Sequence, residues 1–185
     1  MTAKAGATIE DLYHVRDKAE IVEGEIVLMS PTGFLPGYAG GEIFVGLREH
    51  SRKTGKGIAT PDNAGFRVDL PDRNSFSPDA AWYTGRATGM KFLEGAPVFA
   101  VEVRSEGDYG PVAERDIAAK RNDYFAAGTL CVWDVDLLSP DVIKAYHAGV
   151  PNEPIIFRRG EVADAGASVP GWSLPVDSLF PEEED

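Results

Sequence analysis

The chain has one cysteine, Cys131. That excludes an internal disulfide framework, and its place in the apolar run Leu130-Cys131-Val132-Trp133 marks it as a small core residue. A reducing compartment, the cytoplasm, is the default for such a chain. Long apolar runs are also absent. None approaches the roughly 20 residues that cross a bilayer, and Met1 to Thr8 has neither the apolar region nor the cleavage pattern of a signal peptide. Basic residues are scarce: 18 Lys and Arg face 30 Asp and Glu, a formal net charge of −12. This counts against non-specific binding to a polyanion, which needs cations to displace counterions. Part of the excess is the tail Glu182-Glu183-Glu184-Asp185, which reads as a solvated end. Carboxylates gathered at a metal site would account for more.

Apolar content is ordinary, and 185 residues are enough for a real core. No repeat or composition break divides the chain. Residues 1–185 therefore read as one domain, with 1–19 as an N-terminal helix or arm and 181–185 as the acidic tail. Thr8 to Val15 reads as a short helix with Thr8 and Asp11 as a capping box. Two strands follow within Glu20 to Met29, turning at Gly24. Tyr38 to Thr54 has helical spacing in Ile43, Phe44 and Leu47, and Gly55 stops it. Half-buried Asn63 to Leu70, Pro78 to Tyr83 and the almost wholly apolar Pro97 to Val103 are the next strands. Thr84 to Gly95 is a connection with a short helix expected near Met90. Pro111 to Ala127 is helical, with Pro111 at a permitted first position. Thr129 to Val135 pairs with Val142 to His147, and Ile155 to Arg158 is strand-like. The order predicts an α/β domain with a mixed sheet.

Three residues in this frame carry chemistry. Glu102 interrupts the run Val98-Phe99-Ala100-Val101-Glu102-Val103, and a carboxylate in a buried strand needs a partner or a metal. Strand parity puts Ala100, Glu102 and Arg104 on one face, and Asp79, Ala81 and Tyr83 on one face of the earlier strand. If the strands are neighbours, Asp79 and Glu102 converge at about 5 Å strand spacing, a set of hard oxygens suited to Mg²⁺ or Mn²⁺. Lys120 falls about 60° from Ile117 and about 40° from Tyr124 on a helical wheel, so it points inward with the stripe of Ala113, Ile117 and Tyr124. Arg104 competes with it as the cation, and Glu42 is a candidate extra carboxylate. The bland alternatives are a solvated strand tip at Glu102, a turn start at Ser77-Pro78-Asp79, and a snorkelling Lys120. His50 has no partner in the sequence and reads as a surface or edge residue.

The sequence also resembles a known family over about Glu20 to Phe180. The resemblance rests on Glu23-Gly24-Glu25-Ile26-Val27-Leu28-Met29-Ser30-Pro31, on Phe66-Arg67-Val68 and on Ser77-Pro78-Asp79-Ala80-Ala81-Trp82. It continues through Val101-Glu102-Val103-Arg104-Ser105, then Lys120 and Tyr124 ahead of Ala127-Gly128. Val132-Trp133-Asp134-Val135-Asp136 and Pro170-Gly171-Trp172-Ser173 to Leu179-Phe180 complete it. These residues are similar to the Uma-two family of restriction endonucleases, within the PD-(D/E)xK nuclease superfamily. The resemblance implies a restriction-endonuclease-like core of order α-β-β-β-α-β, here behind an N-terminal β-hairpin. It implies Asp79 and Glu102 as metal ligands, with the usual lysine supplied from the following helix by Lys120.

The expected function is a metal-dependent endonuclease that hydrolyses nucleic-acid phosphodiester bonds, DNA first, with Mg²⁺ or Mn²⁺ on Asp79 and Glu102 and Lys120 as the third catalytic residue. The alternative is a catalytically inactive nuclease-fold protein that acts as a protein-interaction module. Exposed strands leave room for a homodimer.

Overall fold

The computed structural model describes residues 6–182. The first five residues of the expected N-terminal arm, and residues 183–185 of the expected acidic tail, lie outside the described residues. In chain order the elements are α1 (Ile9–Leu12), β1 (Ala19–Val22), β2 (Glu25–Leu28), α2 (Phe34–Thr54), β3 (Ile58–Pro61), β4 (Phe66–Arg67), β5 (Ser75–Phe76), β6 (Ala80–Tyr83) and β7 (Leu93–Glu94). They continue with β8 (Phe99–Val103), α3 (Pro111–Ala126), β9 (Cys131–Val135), β10 (Ile143–His147), β11 (Val150–Phe157), β12 (Val162–Asp164) and β13 (Ser173–Pro175). The main sheet has six strands in the order β11-β10-β9-β8-β6-β3. Only its central pair, β8 and β9, is parallel, and α3 makes the crossover between them. This is the mixed α/β architecture the sequence predicts.

Each turn has a local cause. Thr8 and Asp11 cap each other's backbone at the start of α1. Glu23 and Gly24 both take positive φ, which suits the tight turn between β1 and β2. The helix α2 begins four residues earlier than its spacing predicts, because Pro36 falls in the first turn, where it is tolerated. It ends at Gly55 in the left-handed region, with Arg52 and Lys53 in its last turn.

The sheet is covered on both faces, and strand parity decides what goes where. Ala80, Trp82, Phe99, Val101, Val103, Cys131, Trp133 and Val135 face Ile43 and Leu47 of α2, together with Trp172, Leu174 and Leu179 from the C-terminal segment. Ala81, Tyr83, Ala100 and Val132 face the other way, toward Tyr124 of α3 and toward Phe66 and Phe76 of the small sheet β5-β4-β7. Phe76 and Tyr124 stack with ring centroids 3.9 Å apart. The second face therefore lies under α3 and the small sheet, and Glu102 of β8 emerges on that face where Lys120 of α3 and Glu20 of the β1–β2 hairpin meet.

Two local expectations are corrected, and one strand is new. The strand expected over Asn63 to Leu70 shortens to Phe66–Arg67, because Asn63 adopts positive φ and Gly65 and Pro71 interrupt the alternation. The helix expected near Met90 does not form. Met90 is 98% exposed, and the segment instead ends in β7, pairing with β4. The edge strand β3 has no counterpart in the sequence reading, since it is four residues long and ends in proline. The far edge, β11, likewise carries Pro151 and Pro154, which blunt it against pairing with another chain.

Candidate functional site

The register of β6 against β8 places the two predicted acids. Ala80 is opposite Val101, and the Asp79 amide donates to the Val101 carbonyl at 3.0 Å, so Asp79 stands level with Glu102 just beyond the strand end. Asp79 Oδ2 accepts the Val103 amide at 2.7 Å. Its other oxygen, Oδ1, accepts Lys18 Nζ at 3.1 Å, and Lys18 also donates to Asp62 Oδ1 at 2.5 Å. A cleft of about 140 Å³ opens onto Asp79 between the first turns of α2, at Pro36 and Gly40, and the end of β3, at Pro61 and Asp62.

Glu102 is held from α3. Lys120 Nζ lies 2.9 Å from its carboxylate, and the Tyr124 hydroxyl donates to Oε1 at 2.6 Å. Helical spacing brings Lys120 and Tyr124 to the same target because residues four apart share a face. Lys120 is shared: its ammonium is also 3.0 Å from Glu20 Oε1 on the hairpin strand β1. Glu20 is almost fully buried and accepts Arg73 Nη1 at 2.6 Å and the Ser77 amide at 2.7 Å. Arg73 in turn donates through Nε to Asp123 on α3 at 2.8 Å. The result is two runs of alternating charge, Asp123-Arg73-Glu20-Lys120-Glu102 and Asp79-Lys18-Asp62, which meet where the acids Glu102 and Asp79 stand level.

The two acids that share Lys120 differ in protonation for a physical reason. Burial pushes both carboxyls up. For Glu20, Lys120, Arg73 and the Ser77 amide outweigh burial and hold it below the ordinary glutamate range. Glu102 has Lys120 and the Tyr124 hydroxyl on its side, but it also faces Asp79 and Glu20, and it is pushed up to about 7. Of these two acids, Glu102 is therefore the one that takes up a proton first. Burial would pull the Lys120 ammonium down, but Glu102 and Glu20 more than offset it, so Lys120 stays firmly protonated.

Of the predicted residues, the structure brings Glu102 and Lys120 into direct contact and sets Asp79 level with them. Arg104, the competing cation, is occupied elsewhere. It binds Asp134 through two nitrogens at 2.7 Å each, and it also grips Glu114 of α3. Glu42 joins no ion pair among the described residues. His50 packs its ring against Trp82, at 5.6 Å between centroids. Sequence reasoning missed Glu20, Lys18 and Arg73. For Glu20 a signal was present, since a carboxylate heads the apolar Glu20-Ile21-Val22 as Glu102 interrupts its own run. Lys18 and Arg73 lie in polar stretches, and only the tertiary arrangement distinguishes them.

The donor set fits a hard divalent cation. Asp79 and Glu102 offer carboxylate oxygens from level positions on adjacent chain segments, with no thiolate or imidazole among them. No group of three or more His, Cys, Asp or Glu side chains able to hold a metal occurs among the described residues. A metal here would thus rest on two protein carboxylates and keep water or substrate oxygens, the usual habit of Mg²⁺. Charge agrees. Along the two runs of ion pairs, three cations (Lys18, Arg73, Lys120) face five carboxylates (Asp62, Asp79, Glu102, Glu20, Asp123). The cluster is two positive charges short of neutral with every acid ionised.

Comparison with known proteins bears on the fold and the family. The crystal structure of "a putative nuclease belonging to DUF820 from Anabaena variabilis ATCC 29413" matches with a TM-score of 0.72 over 94% of this chain and 97% of that one, at 14% sequence identity. At that identity the likeness is one of fold. No curated protein matches the chain. No helix among the described residues is long and apolar enough to cross a membrane. The family described as "Uma2: Putative restriction endonuclease" matches residues 7–177, and the chain belongs to that family.

Proposed function

We propose that the chain is a metal-dependent endonuclease that hydrolyses nucleic-acid phosphodiester bonds, with residues 1–185 working as one domain in the cytoplasm and DNA as the first substrate to test. The observation that carries this reading is the contact of Lys120 of α3 with Glu102 of β8, which stands level with Asp79 just before β6. Asp79 and Glu102 would hold Mg²⁺ or Mn²⁺. Such an ion, when bound, supplies an activated water and clamps phosphoryl oxygens.

The chain's own residues do the rest. Lys120 is a fixed cation, because two carboxylates keep it protonated. It serves as a donor toward the phosphate or the attacking water, where charge develops, and not as a base. Tyr124 orients the Glu102 carboxylate through its 2.6 Å bond. Glu20, fixed by Arg73 and the Ser77 amide, holds Lys120 from behind.

One observation favours the second reading, an inactive nuclease-fold module that binds protein. The net charge is −12, and the described site carries no surplus of cations to meet a polyanion. Incubating DNA and RNA substrates with wild type and Glu102→Ala, with and without Mg²⁺ or Mn²⁺, separates the two. The nuclease reading expects cleavage by wild type only, and only with metal. Absence of cleavage of either polymer, together with no metal binding, would sink the nuclease reading. A homodimer is compatible with either reading and is checked by sedimentation.

A further inference from the structure

Lys18 bridges two unequal partners, one of them a half-exposed surface carboxylate, and the inequality has a direction. Its main chain is pinned, since the Lys18 carbonyl accepts the Met29 amide at 2.9 Å across the β1–β2 hairpin. Two residues on, Glu20 is locked by Arg73 and the Ser77 amide. Only the side chain is free to move. Its ammonium is 2.5 Å from Asp62 and 3.1 Å from Asp79. Asp62 is about half exposed on the turn after β3, whereas the Asp79 side chain is 21% exposed.

Asp79 has one oxygen to offer. Oδ2 is engaged by the Val103 amide at 2.7 Å, an interaction that holds the carboxylate in place. Oδ1 is the oxygen that would meet a metal, and Lys18 is bonded to it. Lys120 differs in kind: it is clamped between Glu20 and Glu102 at 3.0 and 2.9 Å, and neither partner is a solvated surface residue. Swinging Lys18 off Asp79 leaves it with its shorter contact, to Asp62. Lys120 has no exposed surface carboxylate of that kind to fall back on if it leaves either acid.

We propose that Lys18 is a displaceable internal cation that neutralises Asp79 until a divalent metal ion takes that place, after which Asp62 alone retains the ammonium. The inference rests on the metal-site reading above and adds to it a device that sets metal affinity. Lys18 is a positioning residue here: it acts through Asp79 and touches no reacting atom.

The test measures Mn²⁺ binding to the full chain by electron paramagnetic resonance, with thermal melting alongside. Lys18→Met removes the competitor and keeps the aliphatic stem, so Mn²⁺ should bind about fivefold tighter, the scale of one partly solvated ion pair. Lys18→Arg keeps a cation and should bind like wild type. Asp62→Asn removes the alternative partner and should weaken binding, and that weakening should vanish in the Lys18→Met/Asp62→Asn double variant. Unchanged or weaker binding by Lys18→Met at an unaltered melting temperature overturns the inference. So does an Asp62→Asn effect that persists in the double variant, because Asp62 would then act without Lys18. If Lys18→Met fails to fold, Asp62→Asn with wild-type affinity overturns it. Asp79→Asn separates the two levels. Wild type that binds Mn²⁺ and loses it in Asp79→Asn, while Lys18→Met does not tighten, sinks only the role of Lys18. Absence of Mn²⁺ binding in both wild type and Lys18→Met sinks the metal site and this inference together.

Discussion

Replacing Glu102 with glutamine should flatten the pH dependence of stability in the metal-free protein, and the direction follows from which state binds the proton. In the folded chain burial, Asp79 and Glu20 push Glu102 up to about 7 from a starting value of 4.5. Between those values the native state holds a proton that the unfolded chain has released. Stability from this group is therefore fully present below the unfolded value and is lost as pH rises through the folded one. A difference of this size at about 1.36 kcal/mol per unit gives an upper bound of roughly 3 kcal/mol. The side chain is 26% exposed, and screening by solvent reduces the expected loss to about 1–2 kcal/mol. Glu20 works in the opposite sense and in another window. Its pKa is lowered, so its contribution is lost only as pH falls below the ordinary glutamate range. The assay is urea unfolding in chelator from about pH 5 to about pH 8 for wild type and Glu102→Gln. The wild-type curve should fall relative to the variant by the stated amount. Adding Mg²⁺ should remove the fall, because a metal favours ionised Glu102. Parallel curves for the two proteins would refute the charge assignment.

Lys120→Met leaves Glu20 and Glu102 without their shared cation and should lower unfolding free energy by about 3 kcal/mol, read by urea titration, with loss of any metal-dependent cleavage. Arg104→Met strands Asp134, whose side chain is 4% exposed, and should destabilise by about 3 kcal/mol in the same titration. Gly57→Ala places a Cβ 2.2 Å from the Trp82 ring at a backbone φ of +66°; a loss of at least about 2 kcal/mol and a changed Trp fluorescence spectrum are expected.

The parts of this protein that could be read in advance are those where one physical rule dominates. Continuous apolar character marked Phe99–Val103 as a strand covered on both faces, and helical phase aimed Lys120 at Glu102. Parity placed Asp79 and Ala81 together, and the register of Ala80 against Val101 gives Asp79 its level with Glu102. What escaped has causes of another kind. The strand β3 is too short and too close to Gly57 and Pro61 to show a period. Arg104 shares the face of Glu102 as parity requires, but parity is silent on Asp134, which the parallel pairing of β8 with β9 sets directly beside Glu102. Glu20 comes from a hairpin more than fifty residues away in sequence from Arg73 and Ser77, and its role exists only once they are packed.

The charge of the chain looks at first like an argument against a nucleic-acid substrate, and the site changes its weight. A global charge of −12 opposes long-range attraction of a polyanion. The same sign concentrated at Asp79, Glu102, Glu20, Asp62 and Asp123 is what a divalent cation needs, and three internal cations only partly answer it. On the proposed reading, a metal ion that brought the cluster to neutrality would turn a repulsive centre into one able to accept a phosphate. Wild-type affinity for a short DNA duplex should therefore rise on adding Ca²⁺, a divalent ion that takes the same oxygen ligands, and Glu102→Ala should lose that rise. Fluorescence anisotropy at fixed ionic strength measures it, since a change in salt alone would shift binding through the counterion atmosphere. Equal affinity with and without Ca²⁺ would show that the acidic cluster does not recruit substrate through a metal.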